Sequence, residues 1–502
     1  MKKLFFSLLM LIIVNLLASP GQAQWANGQN ASLVIGQPDF TSSAPGLTAT
    51  TLLNPRDVAV DATRGKLYVV DGNNNRVLRF AYPVSANQPA AELVFGQPNF
   101  NSNVGSAAIN TFDDPRGIVV DQSGRLWVAD SGNNRVVWFN QAYNIAANQP
   151  NANGVVGQID FVSGGCGVSE NEMCDPQGIA MSSNASLFVT DTGNNRVLRF
   201  NNALNLFSPG VSASGVLGQP DLDTDDPGFG QNEMDSPRGV ALNGNTLYVA
   251  DTDNSRVLRF DNAPGKANGA PADGVLGQLG FSSPTPSLTQ NGMVLPVRVT
   301  VDPGGRLYVS EGPGANRVLI FADAAHKPNG GPADFVLGQQ NFVTSTVSTT
   351  QSGMNLDSLG SGLTIDYGNN LLMVSDDNNN RIMIFQANFP VIVLNPGSLS
   401  FSTFQESNPA DKTIALSNGG GGSMPWTAVV EAGAPAWLSI NPASGTDNAT
   451  LTVAVNSAGL LPGNYTKTIT ITAPGAINTT QTVTVSLTVD PRLYLPLIQK
   501  NP

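Results

Sequence analysis

A Gly-Gln pair recurs six times, beginning at Gly36, Gly96, Gly157, Gly218, Gly277 and Gly338, in steps of 60, 61, 61, 59 and 61 residues. An aromatic follows at Phe40, Phe100, Phe161, Phe281 and Phe342, with Leu222 in the fourth copy. A second signal repeats in phase: Pro-Arg-Gly, an apolar run, a turn, Leu-Tyr-Val-Ala-Asp, a polar turn, then Asn-Arg-Val-Leu-Arg-Phe. A fixed period of this length means stacked units, none able to bury its apolar face alone. Each copy divides into four β-type runs, in the second copy near Gly117–Asp121, Leu126–Asp130, Arg135–Phe139 and Gly154–Gln158. The runs are rich in Val, Ile, Leu and aromatics and are parted by Gly, Asn, Asp and Pro turns. Four antiparallel strands per unit, without a helical period, is the pattern of a propeller blade.

The segments Pro115-Arg116-Gly117-Ile118-Val119-Val120-Asp121 and Leu126-Trp127-Val128-Ala129-Asp130-Ser131-Gly132-Asn133-Asn134-Arg135-Val136 resemble NHL repeats. So do residues 55–80, 176–200 and 237–260, and the resemblance spans about residues 31–387. The fifth and sixth copies diverge: Glu311 replaces the strand-end Asp, and Leu359-Gly360-Ser361-Gly362 replaces Pro-Arg-Gly. Six three-strand sets end at Phe80, Phe139, Phe200, Phe260, Phe321 and Phe385, and the last lacks its own Gly-Gln strand. That strand stands at the other end of the chain, Leu33 to Gln37. Pairing it onto the last set removes an exposed edge and gives six blades.

The first residues have the form of a signal peptide, residues 1–23: Lys2 and Lys3, an apolar Leu4 to Ala18, and Gly21-Gln22-Ala23 before Gln24. The apolar stretch is short for a membrane span, and no second candidate follows. The chain is therefore expected to be secreted, or associated with a cell surface from outside, and monomeric. Its formal charge is -12, and about -14 without Lys2 and Lys3. Such an acidic protein has no electrostatic means of holding a phosphate backbone, which excludes nucleic acid as the expected partner. Cys166 and Cys174 are the two cysteines, eight positions apart in one connecting loop. Export favours a local disulfide; a zinc site has the wrong spacing and no nearby histidine.

Five strand-end aspartates, Asp71, Asp130, Asp191, Asp251 and Asp376, each precede an arginine by five positions: Arg76, Arg135, Arg196, Arg256 and Arg381. An aspartate there can accept turn N–H bonds while the arginine ties neighbouring turns, so the ladder reads as structural. The Asp71 and Asp251 turns resemble the start of a calcium loop but lack its downstream glutamate. Leu52, Phe112, Met173, Met234, Met293 and Met354 precede the inner strands at a fixed offset and read as plugs between blades.

From about residue 388 to 490 the composition shifts to Thr, Ser, Val and Ala, with seven short alternating runs, the pattern of a β-sandwich. The stretch Trp437-Leu438-Ser439-Ile440-Asn441-Pro442-Ala443-Ser444-Gly445-Thr446, with Leu461-Pro462-Gly463-Asn464-Tyr465, resembles a BACON domain. The resemblance implies carbohydrate or mucin binding, or a spacer. Trp426 and Trp437 are the candidate sugar platforms, against burial in the core. Residues 491–502 form a short apolar tail, too short to span a bilayer.

His326 is the lone histidine, in a surface loop, and nothing near it resembles a nucleophile motif. The first expectation is a non-catalytic binding or scaffold protein without a cofactor, the propeller taking a protein or small anionic ligand and the sandwich an extracellular carbohydrate. The alternative is a calcium-dependent hydrolase, lactonase or lyase, with Glu170, Glu172 and Glu233 able to reach a central ion. In the register of Pro-Arg-Gly, Arg56, Arg116, Gln177 and Arg238 stand at the channel mouth. They form either a partial cationic rim for an anion or ties between adjacent blades.

Overall fold

The computed structural model describes residues 25–205, 209–357, 360–474, 476 and 478–492; the segment expected to be a signal peptide, residues 1–23, and nearly all of the apolar tail lie outside these residues. Two compact units are found, residues 26–386 and a second beginning at Ala387.

Six four-stranded antiparallel sheets form the first unit, each ordered from inner to outer strand. Blade two, for example, comprises Pro115–Val120, Leu126–Asp130, Arg135–Phe139 and Gly154–Val156. Blade six has Leu363–Asp366, Leu371–Asp376 and Arg381–Gln386, and Leu33–Ile35 supplies its fourth strand, Leu33 opposite Ile384 and Ile35 opposite Ile382. Asn27 adds a second closure, its Oδ1 accepting the Val336 N–H of blade five. The ring is thus closed by the residues that precede it, and its sheet edge is paired.

The cores lie between blades. Tyr68, Val70, Val77 and Phe95 of blade one pack with Ile118, Leu126, Val128 and Phe139 of blade two, and the Phe95 and Phe139 rings meet edge to face at 5.1 Å. Equivalent clusters join blades two and three, three and four, four and five, and six and one.

The Gly-Gln signal has a physical cause at each blade. Gly157 has φ +84, and a Cβ there would lie 2.7 Å from the Met173 sulfur; Leu52, Phe112, Met234 and Met293 crowd their own glycines in the same way. The plugs are fully buried. The glutamine that follows pins the loop: Gln97 Nε2 donates to the carbonyls of Asn75 and Val104, at 2.9 and 3.0 Å. The other five glutamines repeat both bonds.

The second unit is a β-sandwich of a four-stranded and a five-stranded sheet. Its nine strands exceed the seven expected, the two additions being Ile392–Asn395 and the three-residue Ser444–Thr446. Ser398–Phe404 runs parallel to Thr480–Asp490; the remaining pairs are antiparallel. Alternate residues along the strands, among them Ile414, Leu416, Leu451, Val453, Ile469, Ile471, Val483 and Val485, build one core.

Candidate functional site

Each of the six ladder arginines is fully buried beside a fully buried carboxylate. Arg196 shows the pattern. Its Nε donates to Asp191 at 2.7 Å, its Nη1 to the Leu222 carbonyl, and its Nη2 to the carbonyls of Ser169 and Glu172. One guanidinium therefore holds the loop entering its blade and the loop leaving it. Arg381 does the same with Phe40, from the strand that closes the ring. The fifth blade keeps the tie with Glu311 and Arg317. Six positions separate them where the other pairs have five, which hid the pair in the sequence; the extra methylene of glutamate spans the longer turn.

The inner strands approach one another too closely for side chains. A Cβ on Gly117 would lie 1.8 Å from the Gln177 carbonyl oxygen, on Gly178 2.6 Å from that of Arg238, on Gly239 2.7 Å from that of Val297, and on Gly362 2.3 Å from the Asp57 Cα. Two positions of this register are not glycine: Asp57 in blade one and Arg298 in blade five. Arg298 crosses the channel, donating to the carbonyl of Arg238 in blade four and, at 3.2 Å, to that of Arg116 in blade two. Its Nε lies 4.0 Å from Asp57 Oδ2. Asp57 in turn accepts the N–H groups of Val58 and Ile118. Burial pushes the Asp57 carboxyl up to about 6 against the pull of Arg298. Burial also lowers Arg298 to about 10; Asp57 opposes this, and Arg116, Arg238 and Arg56 add to it. The sequence signal for this pair was the loss of glycine after the Pro-Arg position, visible only once the register is known.

The channel-mouth residues do share one register, but they do not form a free cationic rim. Arg56 is buried, donates to Asn73 Oδ1 at 2.9 Å and lies 3.6 Å from Asp114. Arg116 bridges Asp114 of its own loop and Asp175 of the next. Gln177 is buried and donates to the same Asp175. Burial lowers the Arg238 guanidinium, with Asp253 opposing. The interblade loops bring Asp114 beside Arg56 and Arg116, and Asp175 beside Arg116 and Gln177, so these residues tie neighbouring blades rather than forming a free cationic rim.

Below the Arg298–Asp57 pair the channel opens into a chamber of about 240 Å³ between the inner strands. Its lining includes half-buried Val60, Val120, Met181, Leu242, Val301 and Ile365, the first five of which also pack against the interblade cores. A second cavity of about 380 Å³ shares Val60, Val120 and Ile365 and continues to the hairpin turns at Arg64, Gln122 and Tyr367.

The remaining candidates do not come together. Glu170 accepts from Ser212, Glu172 from Ser169, and Glu233 from the Gly230 N–H, each within the loops between blades. Among the described residues no three His, Cys, Asp or Glu side chains are grouped as a metal ion would need. His326 is exposed and paired with Asp323 at 2.7 Å. Cys166 and Cys174 are joined by a disulfide in the loop between blades two and three. Trp426 and Trp437 are 2% and 3% exposed; the first donates its Nε1–H to the Asp447 carbonyl and the second packs edge-on against Tyr465. Neither offers a face to a sugar, because each is the large apolar filling of a thin sandwich. Among the described residues no helix is long and apolar enough to cross a membrane.

Comparison with known proteins matches residues 52–80, 112–139, 173–200 and 234–260 to the NHL repeat, and residues 391–488 to the viral BACON domain. The NHL repeat-containing protein 3 of Mus musculus is 31% identical over 111 residues, which is 22% of this chain and 28% of that protein's length. A streptogramin B lyase structure is similar at 12% identity and a TM-score of 0.40, over 69% of this chain and 95% of that one. A gluconolactonase from Xanthomonas campestris is similar at 15% identity and a TM-score of 0.38, over 73% and 98%. At those scores neither structure carries an argument about this chain.

Proposed function

From a six-bladed NHL-type propeller followed by a BACON domain, we propose an exported, non-catalytic binding protein whose propeller docks a partner protein through its interblade loops, with the sandwich as a spacer. One observation carries the reading. Among the described residues of the first unit, eight of the nine exposed large apolar side chains lie in those loops: Val104, Ile109, Ile159, Val162, Phe229, Leu279, Val343 and Val347. Leu279 is 86% exposed and Val104 71%. The loops that carry them have little regular structure, yet the ladder arginines and the Gly-Gln glutamines pin them to a rigid ring. Apolar residues held outward on a rigid frame suit protein recognition. The buried tryptophans remove the support for a sugar platform and favour the spacer role. Export rests on the leader-like first residues and the disulfide.

The competing reading is a calcium-dependent hydrolase or lactonase in the channel. Calorimetry with calcium and a turnover screen of esters and lactones test the proposal. Neither saturable calcium heat nor turnover is expected. Turnover abolished by a chelator and by Asp57→Asn would overturn it.

A further inference from the structure

We propose that the two connections flanking blade three dock a basic segment of a partner protein, lysines or arginines set around an apolar side chain. The proposal rests on the reading of the propeller as a docking module and names the chemistry of its partner. Exposed apolar side chains alone do not choose that chemistry; the charges around them do. The six interblade connections, residues 36–54, 96–114, 157–175, 218–236, 277–295 and 338–356, contain no Lys, Arg or His. Their Asp and Glu residues number one, two, four, six, none and none in chain order, so ten of the thirteen flank blade three. Arg196 of that blade clamps both connections, donating to the Glu172 carbonyl in one and the Leu222 carbonyl in the other. The acidic charge is therefore concentrated in one sector of the ring face.

That charge is left unbalanced. Among the described residues, Asp175 is the only one of the ten in a salt bridge, with Arg116. At the channel mouth Arg116 and Arg238 are offset by Asp114, Asp175 and Asp253. Asp223, Asp225 and Asp226 are exposed, and among the described residues their carboxylates have no hydrogen-bond or ion-pair partner. Like charges held this closely repel, and a cationic segment relieves the repulsion while the field steers it in. The ten are not grouped as a metal ion would need. Apolar side chains stand in the same sector: Phe229 is 49% exposed, Ile159 64% and Val162 70%. The acidic loop is also held in place. Asn195, Gln219, Asn254 and Arg256 donate to the carbonyls of Asp225, Asp226, Gly228 and Phe229. A surface ordered in advance loses little entropy on binding.

The test measures association and dissociation rates of the full chain with three peptides of one length. They are built from Ser, Leu and a variable residue that is Lys, Gln or Glu. Saturable binding of the lysine peptide is expected, with the other two weaker by at least about ten-fold. Its affinity should fall at least about five-fold between about 0.1 M and 1 M NaCl, as the Debye length shrinks from about 10 to 3 Å. The triple variant Asp223→Asn, Asp225→Asn, Asp226→Asn should slow association at least about five-fold and barely change dissociation. A control with the same net charge, Asp323→Asn, Glu406→Gln, Asp411→Asn, should bind as the native chain does. Phe229→Ser should speed dissociation at least about five-fold and leave the salt dependence unchanged. No saturable binding of the lysine peptide at millimolar concentration overturns the proposal, as do equal losses in the two triple variants. A glutamine peptide that binds as tightly as the lysine peptide also overturns it, yet leaves the docking reading standing. A chitosan oligomer bound more tightly than the lysine peptide overturns the protein partner in favour of a cationic polysaccharide. The docking reading itself fails by the separate calcium and turnover test.

Discussion

At the residue scale the ladder arginines do more than pair with an acid. Arg196 joins a strand-end carboxylate to three loop carbonyls from two interblade connections. Removing it leaves Asp191 buried, where desolvation already pushes the carboxyl up to about 6 despite the arginine. Arg196→Ala is therefore expected to cost about 3–5 kcal/mol, the usual penalty for an orphaned buried charge, measured by urea unfolding. The ladder was legible where the spacing is five; Glu311 was seen to replace the strand-end Asp, but its pairing with Arg317 escaped because a longer side chain was traded for a longer turn. Asp377 presents a different case. Blades two, three and four place Ser131, Thr192 and Thr252 at this register, donating to the carbonyls of Pro176, Pro237 and Pro296. Asp377 is fully buried, its Oδ1 accepts the Asp357 N–H, and its Oδ2 has no partner. Burial pushes it up to about 8, with the charges of Asp357 and Asp376 adding and Arg56 opposing. A raised carboxyl contributes stability that is complete below its ordinary value of 3.8 and lost as pH rises through about 8. The thermal midpoint should therefore fall between pH 6 and pH 9 by more in the native chain than in Asp377→Asn. An equal fall in both would refute the assignment.

At the element scale, each interblade plug and its glycine act as one joint. Met173 fills the space that a Cβ on Gly157 would need, and Gly157 also adopts a φ of +84. Met173→Ala is expected to cost about 2–5 kcal/mol by cavity formation. Gly157→Ala should destabilise through both backbone strain and contact. The double variant should cost less than the sum of the two, since the truncated side chain relieves the contact but not the strain. Strand order, the displaced closing strand and the plugs could be read from the repeat, because each depends on residues at a constant period. The meaning of the mouth arginines could not. The acid that bridges from Arg116 to the next blade is Asp175, 59 residues away, and no spacing rule shows that its carboxylate returns to the same point. The inner-strand glycines were visible as part of a motif, yet their cause, the approach of neighbouring strands at the channel, belongs to the closed ring.

At the scale of the whole molecule, the chain divides into units that earn their stability differently. In the propeller, the cores between blades depend on ring closure. The sandwich instead carries one core of its own, from Ile392 to Val489, with Trp426 and Trp437 inside it. Residues 388–490 expressed alone should therefore unfold in a single cooperative transition, since all the described members of that core are present. The two tryptophans report on it directly. Their emission should be that of buried indole in the native fragment and shift to longer wavelength through the same transition. A sugar platform would need at least one indole face in solvent, and the structure buries both. Titration with mucin-type or plant-wall oligosaccharides should accordingly leave the fluorescence unchanged, and a glycan array should show no specific binding. Saturable quenching by a glycan, lost in Trp437→Phe while the unfolding transition persists, would return the sandwich to a carbohydrate-binding role and withdraw the spacer reading.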